Sequence, residues 1–273
     1  MMTDANRSAA VGAEAAEGFA QFVAPTLVAV ARRVVELAEI EPGQSVLDVA
    51  TGTGLAAFLA AERAGREGAV IGLEAAPAML AVAQARSTAV GYDHIRWLEG
   101  DAARLTFADE SFDAVLCLQQ ILNHPRPDAV LEEAQRVLVE GGRLVLTMWG
   151  SRTGNEWIDL LERALRRTLP APPERPFRLP QPGNLEALLQ AAGFEEVEVE
   201  RVPDRMRFQG TDGLWQWLRA SREWGQRLMA LPAETQAKLR YTLAESLASR
   251  LRDGEVAIHR EIVYVRAVAP PSS

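Results

Sequence analysis

The stretch VLDVATGTG, residues 46–54, decides the fold. Its first half is short, apolar and β-branched, as a buried strand requires, and it runs directly into two closely spaced glycines, Gly52 and Gly54. LAAFLAAERAG (55–65) follows with the composition of a helix and a glycine stop. In a strand–loop–helix of this kind, tight glycine turns and the free N–H groups of the helix start let a ligand approach the backbone closely.

The pattern repeats outward from that loop. EPGQ (41–44) is a turn, and residues 14–40 before it read as helix, with Phe22, Leu27, Val30, Val34 and Leu37 at three- and four-residue spacing. AVIGLE (69–74), HIRWLEGD (94–101), FDAVLCLQ (112–119) and RLVLTMW (143–149) read as strands, with helices over 76–90 and 127–138. Strands alternating with helices of this length predict a parallel sheet built from right-handed crossovers. Beyond it come a helix (155–168), a proline-rich stretch, PAPPERPFRLPQP (170–182), a helix (184–192), a strand (194–201) and two helices within 211–252. IHREIVYVRAV (258–268) alternates apolar and polar residues, which suits an antiparallel sheet member.

Composition narrows the function classes. Of 273 residues, 48% are hydrophobic and 24% charged, enough for a sizeable core. The net charge of −8 disfavours broad nucleic-acid binding. The arginine groups Arg163, Arg166 and Arg167, and Arg201, Arg205 and Arg207, read as a solvated helix face and strand edge. Cys117 is the single cysteine, so no disulfide forms within the chain, and a reducing, cytoplasmic setting is expected. His94, His124 and His259 lack metal-ligand spacing, so no metal is expected. The first residues do not read as a signal peptide, residues 1–13 read as frayed, and Pro25, Arg32, Arg33 and Glu36 interrupt the apolar run from Phe19 to Ile40, which argues against a membrane span.

Two ligands fit the glycine loop. GTGLAA (52–57) satisfies the dinucleotide fingerprint G-x-G-x-x-G/A, and Glu74 ends the next strand where an acidic ribose partner is expected, so a nicotinamide oxidoreductase is one reading. Asp48 points the other way. A carboxylate ahead of the glycines repels a diphosphate but suits a ligand carrying an ammonium and a sulfonium, such as S-adenosylmethionine. The hydride-transfer pattern Tyr-x-x-x-Lys is also absent, since Lys238 is the only lysine and has no tyrosine four residues before it.

VLDVATGTG resembles motif I of the class I S-adenosylmethionine-dependent methyltransferases, in the form shared by the ubiquinone/menaquinone C-methyltransferases and the type 11 group, with Ala50 where many members have glycine. GDA (100–102), LTFADESFDAVLC (105–117), RVLVEGGRLVLTMW (136–149) and GNLEALLQAAGFEEVEVE (183–200) resemble later segments of that family in order, so the resemblance spans roughly 40–200. It implies a Rossmann-like, doubly wound, seven-stranded, mostly parallel α/β sheet with helices on both faces and an antiparallel last strand. It implies that Glu74 accepts from both ribose hydroxyls and Asp101 from the adenine amino group. The implied cofactor-binding set is Asp48, Ala50, Thr51, Gly52, Gly54, Glu74, Ala75, Met79, Gly100, Asp101, Ala102, Gln119 and Gln120.

The function expected is methyl transfer to a small, hydrophobic or aromatic molecule at carbon, oxygen or nitrogen, with a nicotinamide oxidoreductase and a non-methylating member of the same fold as alternatives. Because the sulfonium donor is already activated, positioning and water exclusion do much of the work and leave little trace in sequence. His124, in QQILNHP (119–125), is the candidate base at the rim after the fourth strand. Phe19, Phe22, Asn123, Trp149, Trp157 and Trp215, with Trp217 and Trp224 near the last of these, are the candidate acceptor pocket. One domain over 1–273 is expected: an N-terminal helix (14–40), a cofactor-binding core (41–150), substrate and lid helices with the sixth strand (151–257), and the last strand (258–268). It is expected to act in the cytoplasm as a monomer or homodimer, without nucleic acid or membrane.

Overall fold

The computed structural model describes residues 11–169 and 184–271. The first ten residues and the proline-rich stretch 170–182 lie outside the described residues. The elements are α1 (Ala13–Leu37), β1 (Ser45–Val49), α2 (Leu55–Ala64), β2 (Ala69–Glu74), α3 (Pro77–Val90), β3 (Ile95–Glu99), β4 (Phe112–Leu118), α4 (Pro127–Val137), β5 (Leu138–Trp149), α5 (Glu156–Thr168), α6 (Asn184–Ala191), β6 (Glu195–Gln209), α7 (Gly210–Ala220), α8 (Gly225–Met229), α9 (Ala233–Leu247) and β7 (Glu255–Val268).

The seven strands form one sheet in the order β3-β2-β1-β4-β5-β7-β6. The first five run parallel, and β7 inserts antiparallel between β5 and β6, as expected. Alternation along the strands feeds two cores. Val46, Val70, Ala114, Leu116 and Val145 pack with α1, α2, α5, α7 and α9 on one face. Leu47, Ile71, Val115, Leu144 and Leu146 pack with α4 and α6 on the other. The continuous apolar runs in the sequence are therefore strands covered on both sides.

Three elements depart from the sequence reading. Strand β6 continues to Gln209 rather than stopping at 201, because it stays paired with β7 throughout. Pro203 lies within it, and a proline is tolerated on an edge strand, which has no neighbour on its outer side. Strand β5 begins at Leu138, interrupted by a bulge at the two glycines 141–142. The 211–252 region holds three helices, not two, since the turn at Ser221–Gly225 and Pro232 set α8 apart. The exposed arginines of α5 and β6 lie as expected; Arg163 and Arg166 pair with Asp159 and Glu162 of their own helix.

Helix α1 is not regular. A π turn covers Phe19–Val23 and a 3-10 turn covers Ala24–Leu27, where Pro25 brings no N–H to the ladder. The irregular segment is anchored from outside: the Trp217 indole N–H donates to Thr26 Oγ1 at 3.2 Å, and Arg260 donates to the Thr26 carbonyl at 2.8 Å. By length and composition alone α1 could cross a membrane. In this fold its Val23, Leu27, Val30 and Val34 are buried in the first core.

The glycine loop rests on an indole. Asp48, Gly72 and Trp97 stand side by side across β1, β2 and β3. A Cβ at Gly72 would come within 2.5 Å of the Trp97 ring, and one at Gly54 would do the same. Trp97 therefore fills the space both glycines leave empty, beneath the loop. Gly72→Ala must displace that ring. It is expected to cost roughly 1–3 kcal/mol, as overpacking does, and to lower the thermal midpoint by several degrees in a calorimetric scan.

Candidate active site

Strand β1 lies between β2 and β4, and the chain leaves their C-terminal ends toward opposite faces, which opens a crevice there. Asp48 ends on the α2 face of β1 with no solvent exposure. Its Oδ2 accepts from Thr51 Oγ1 at 2.5 Å and from the Ala57 N–H at 3.0 Å, so the carboxylate ties the strand to the loop and to the first turn of α2. Its Oδ1 is buried and has no hydrogen-bond partner among the described residues. Burial pushes the carboxyl up to about 7; the two hydrogen bonds oppose the shift, and the negative field of Glu74 adds to it.

Glu74 closes the other side of the loop. Its Oε2 accepts from the Gly52 N–H at 3.1 Å, and its Oε1 accepts from the N–H groups of Ala75 and Ala76, each at 3.1 Å. Arg222, from the turn after α7, reaches Glu74 Oε2 at 3.4 Å. Asp101 accepts from the Ala103 N–H at 2.9 Å and meets His124 Nε2 at 3.0 Å. His124 Nδ1 lies 3.1 Å from the Arg126 N–H and 3.2 Å from the Arg126 carbonyl oxygen, and Nε2, which faces the acceptor-only Asp101 carboxylate, donates to it.

Strain and unpartnered groups gather here. Ala50 and Gln119, which follow β1 and β4, take positive φ of 54° and 67°, where a side chain is costly. Gln119 is buried, and among the described residues both ends of its side-chain amide lack partners, as does the buried hydroxyl of Thr53. With Asp48 Oδ1 these make four orphaned polar atoms around one loop. Such atoms are scarce in folded proteins, and a cluster of them marks where a polar ligand completes the structure.

Two cavities flank the loop. The larger, about 180 Å³, is lined by Glu74, Ala75, Gly100, Asp101, Ala102, Gln120, Asn123 and His124. The smaller, about 40 Å³, is lined by Phe19, Val23, Leu27, Leu55, Leu118, Trp149 and Trp217, with Thr51, Gly52, Thr53 and Gln119 on the loop side. Ala50, Gln120 and Arg222 line both. The structure thus brings most of the residues singled out from sequence to one crevice. Asp48, Gly54 and Met79 stand behind it: Asp48 is buried beneath the loop and lines neither cavity, Gly54 packs on Trp97, and Met79 packs with Ala16 under α1. Trp157 and Trp215 are buried in the first core, and neither they nor Phe22 line either cavity. Cys117 is buried among apolar side chains, and burial pushes its thiol up to about 12, as expected of a packing residue. His124 faces the larger cavity rather than the aromatic one. Arg222 and Glu223 were not legible from sequence, because no motif marks the SREWG turn that carries them.

The arrangement can hold a nucleoside along Glu74 and Asp101 and a zwitterionic, cationic group at the loop in front of Asp48, beside an apolar space for a second reactant. The family model described as a methyltransferase domain matches residues 46–142. The chain is 36% identical over 178 residues to a demethylmenaquinone methyltransferase of Thermus thermophilus, covering 60% of this chain and 80% of that one. It is 33% identical over 181 residues to a 2-phytyl-1,4-naphtoquinone methyltransferase of Thermosynechococcus vestitus, covering 60% and 78%. A crystal structure from Bacillus halodurans, assigned as a methyltransferase, superposes with a TM-score of 0.60 at 24% identity over 89% of this chain and 99% of that one.

Burial of Asp48 has a stability consequence with a definite sign. Its folded pKa lies above its unfolded value, so ionisation costs the folded state stability as pH rises from about 4 to about 7. Asp48→Asn removes that cost. In the ligand-free protein it is expected to be more stable than wild type at pH 8, by up to about 4 kcal/mol at 1.36 kcal/mol per pKa unit. The gap should narrow toward pH 5 in denaturant titrations.

Proposed function

The chain belongs to the class I S-adenosylmethionine-dependent methyltransferases, and on that footing we propose that it methylates a small, apolar, aromatic acceptor seated beside the glycine loop. S-adenosylmethionine supplies a methyl group on a sulfonium. The protein's share is to bind that donor, orient the acceptor and exclude water.

The observation that carries the donor assignment is the cluster of orphaned polar atoms. Asp48 Oδ1 offers an acceptor to an ammonium, while Thr53 Oγ1 and the Gln119 amide offer donors to a carboxylate. We assign Glu74 to the ribose hydroxyls and Asp101 to the adenine amino group, with His124 holding Asp101 in orientation through their 3.0 Å contact. Arg222 lies at the boundary of the two cavities, where it closes over Glu74.

The acceptor assignment rests on the smaller cavity and on the acceptors named for the relatives, which are naphthoquinone rings. Phe19, Val23, Leu27, Trp149 and Trp217 make an apolar wall with aromatic faces. At about 40 Å³ the space is far below that of a typical small-molecule pocket, ~300–1,000 Å³. An acceptor ring therefore has to spread the walls. The irregular middle of α1, where regular helical hydrogen bonding is interrupted, is the wall we expect to move. We further propose that residues 1–273 act as one domain, in the cytoplasm, as monomer or homodimer, without nucleic acid or membrane; the net charge of −8 supports the exclusion of nucleic acid.

Calorimetric titration with S-adenosylmethionine, S-adenosylhomocysteine and NADH tests the donor assignment. The first two should bind and the third should not; binding of NADH alone overturns it. Glu74→Ala should weaken S-adenosylhomocysteine binding roughly tenfold to a hundredfold, the loss expected for hydrogen bonds to a charged group, with an unchanged circular dichroism spectrum. Wild-type affinity in that variant removes Glu74 from the site.

A further inference from the structure

The turn after α7 is built to present two charged residues inward. Ser221 Oγ–H donates to the Leu218 carbonyl at 2.8 Å, the Trp224 N–H points back to Ser221 Oγ at 3.3 Å, and the Gly225 N–H donates to the Ser221 carbonyl at 2.8 Å. A Cβ at Gly225 would lie 2.4 Å from the Arg219 carbonyl oxygen, so the chain can close this tightly only with glycine. Trp224 anchors the turn in the core. Between Ser221 and Trp224, Arg222 and Glu223 face the aromatic cavity.

Glu223 is placed where an acceptor must sit. Its Oε1 accepts from the Trp149 indole N–H at 3.4 Å. The other walls bring no ionisable group: α1 contributes Phe19, Val23 and Leu27, the end of β4 contributes Leu118 with Gln119 and Gln120 following it, and α7 contributes Trp217. Among the described residues Arg222 is the one other charged residue of the lining, and Asp48 and Glu74 stand behind the loop, bonded to Thr51 and Gly52. Burial holds the Glu223 carboxyl above the usual carboxylate range, and a hydrogen bond from its own backbone N–H, the Trp149 hydrogen bond and the Arg222 charge limit the rise.

We propose that Glu223 is the general base of the reaction, taking the proton from a hydroxyl-bearing acceptor as that acceptor is methylated. The inference rests on the acceptor reading above. The step balances: the acceptor's electron pair forms the new bond to the methyl carbon, and the carbon–sulfur pair stays on sulfur as a neutral thioether. The acceptor's proton passes to the carboxylate, which becomes the neutral acid and returns the proton to water after product release. A carboxylate among aromatic side chains is well suited to this, because desolvation raises its basicity.

Wild type, Glu223→Gln and Glu223→Asp are compared on S-adenosylmethionine and 1,4-dihydroxynaphthalene kept reduced under argon. Wild-type kcat should rise with pH through the raised Glu223 ionisation and then level. Glu223→Gln, which keeps an acceptor for Trp149, should lose roughly 10²–10⁴-fold in kcat together with that acidic limb. Glu223→Asp should keep the limb, shifted, at reduced kcat. A second readout needs no turnover: with S-adenosylhomocysteine bound, affinity for 1-naphthol should strengthen over the same pH range in wild type and stay flat in Glu223→Gln. Unchanged S-adenosylhomocysteine affinity certifies the fold of the glutamine variant; if that variant does not fold, an unmoved acidic limb in Glu223→Asp overturns the proposal. A glutamine variant within threefold of wild-type kcat and with the same limb overturns it while methylation stands. Wild type that binds S-adenosylmethionine but neither binds nor methylates the hydroxynaphthalenes overturns the acceptor reading instead.

Discussion

The Asp48 carboxyl stands near the end of β1, the strand from which the glycine loop springs, with no exposure to water. One oxygen holds Thr51 and the Ala57 N–H, which fixes the path of the loop from strand to helix. The other has no partner among the described residues. A buried carboxylate in this state is costly, and its preference for a proton up to about 7 expresses that cost. Everything around it is arranged to keep the place small: Gly72 and Gly54 give Trp97 room beneath the loop, and Glu74 grips Gly52 from the next strand. A cation entering this site relieves the cost and gains the attraction, whereas a diphosphate meets two carboxylates. The charge arrangement selects the donor before any base-specific contact is made.

The strain is spatially concentrated. Ala50 and Gln119 both stand at positive φ just beyond the ends of β1 and β4, and Thr53 and Gln119 both have unmatched polar atoms. The sheet beneath is regular, with two well-filled cores, and can hold these positions against their local preference. Stability in the layers and discomfort at the strand ends are two sides of one design, in which the ligand completes what the chain leaves open.

The core of this arrangement was legible because it is local. VLDVATGTG carries strand, loop and helix start within nine residues, and Asp48 tells against a dinucleotide from its chemistry alone. The alternating β7 announced an antiparallel member, and the structure has one. What was not legible depends on distant packing. Pro203 looks like a strand breaker until β6 is known to be an edge, and α1 looks regular until Trp217 and Arg260 are seen to hold Thr26. The tryptophans were a group in sequence, but Trp149 and Trp217 reach a cavity while Trp157 and Trp215 fill the core. Arg222 and Glu223 arrive from the far end of the chain on a turn with no motif of its own.

The central claim is that the Asp48 charge is matched by the cofactor's, and protons report it directly. At pH 7 a group with a pKa of about 7 is close to half protonated, and binding a cation drives it to the ionised form. Calorimetry of S-adenosylmethionine binding in buffers of different ionisation enthalpy counts the protons exchanged. The account predicts that wild type releases about half a proton more than Asp48→Asn at pH 7, a difference that fades toward pH 9. Equal proton counts for the two proteins across that range would contradict it.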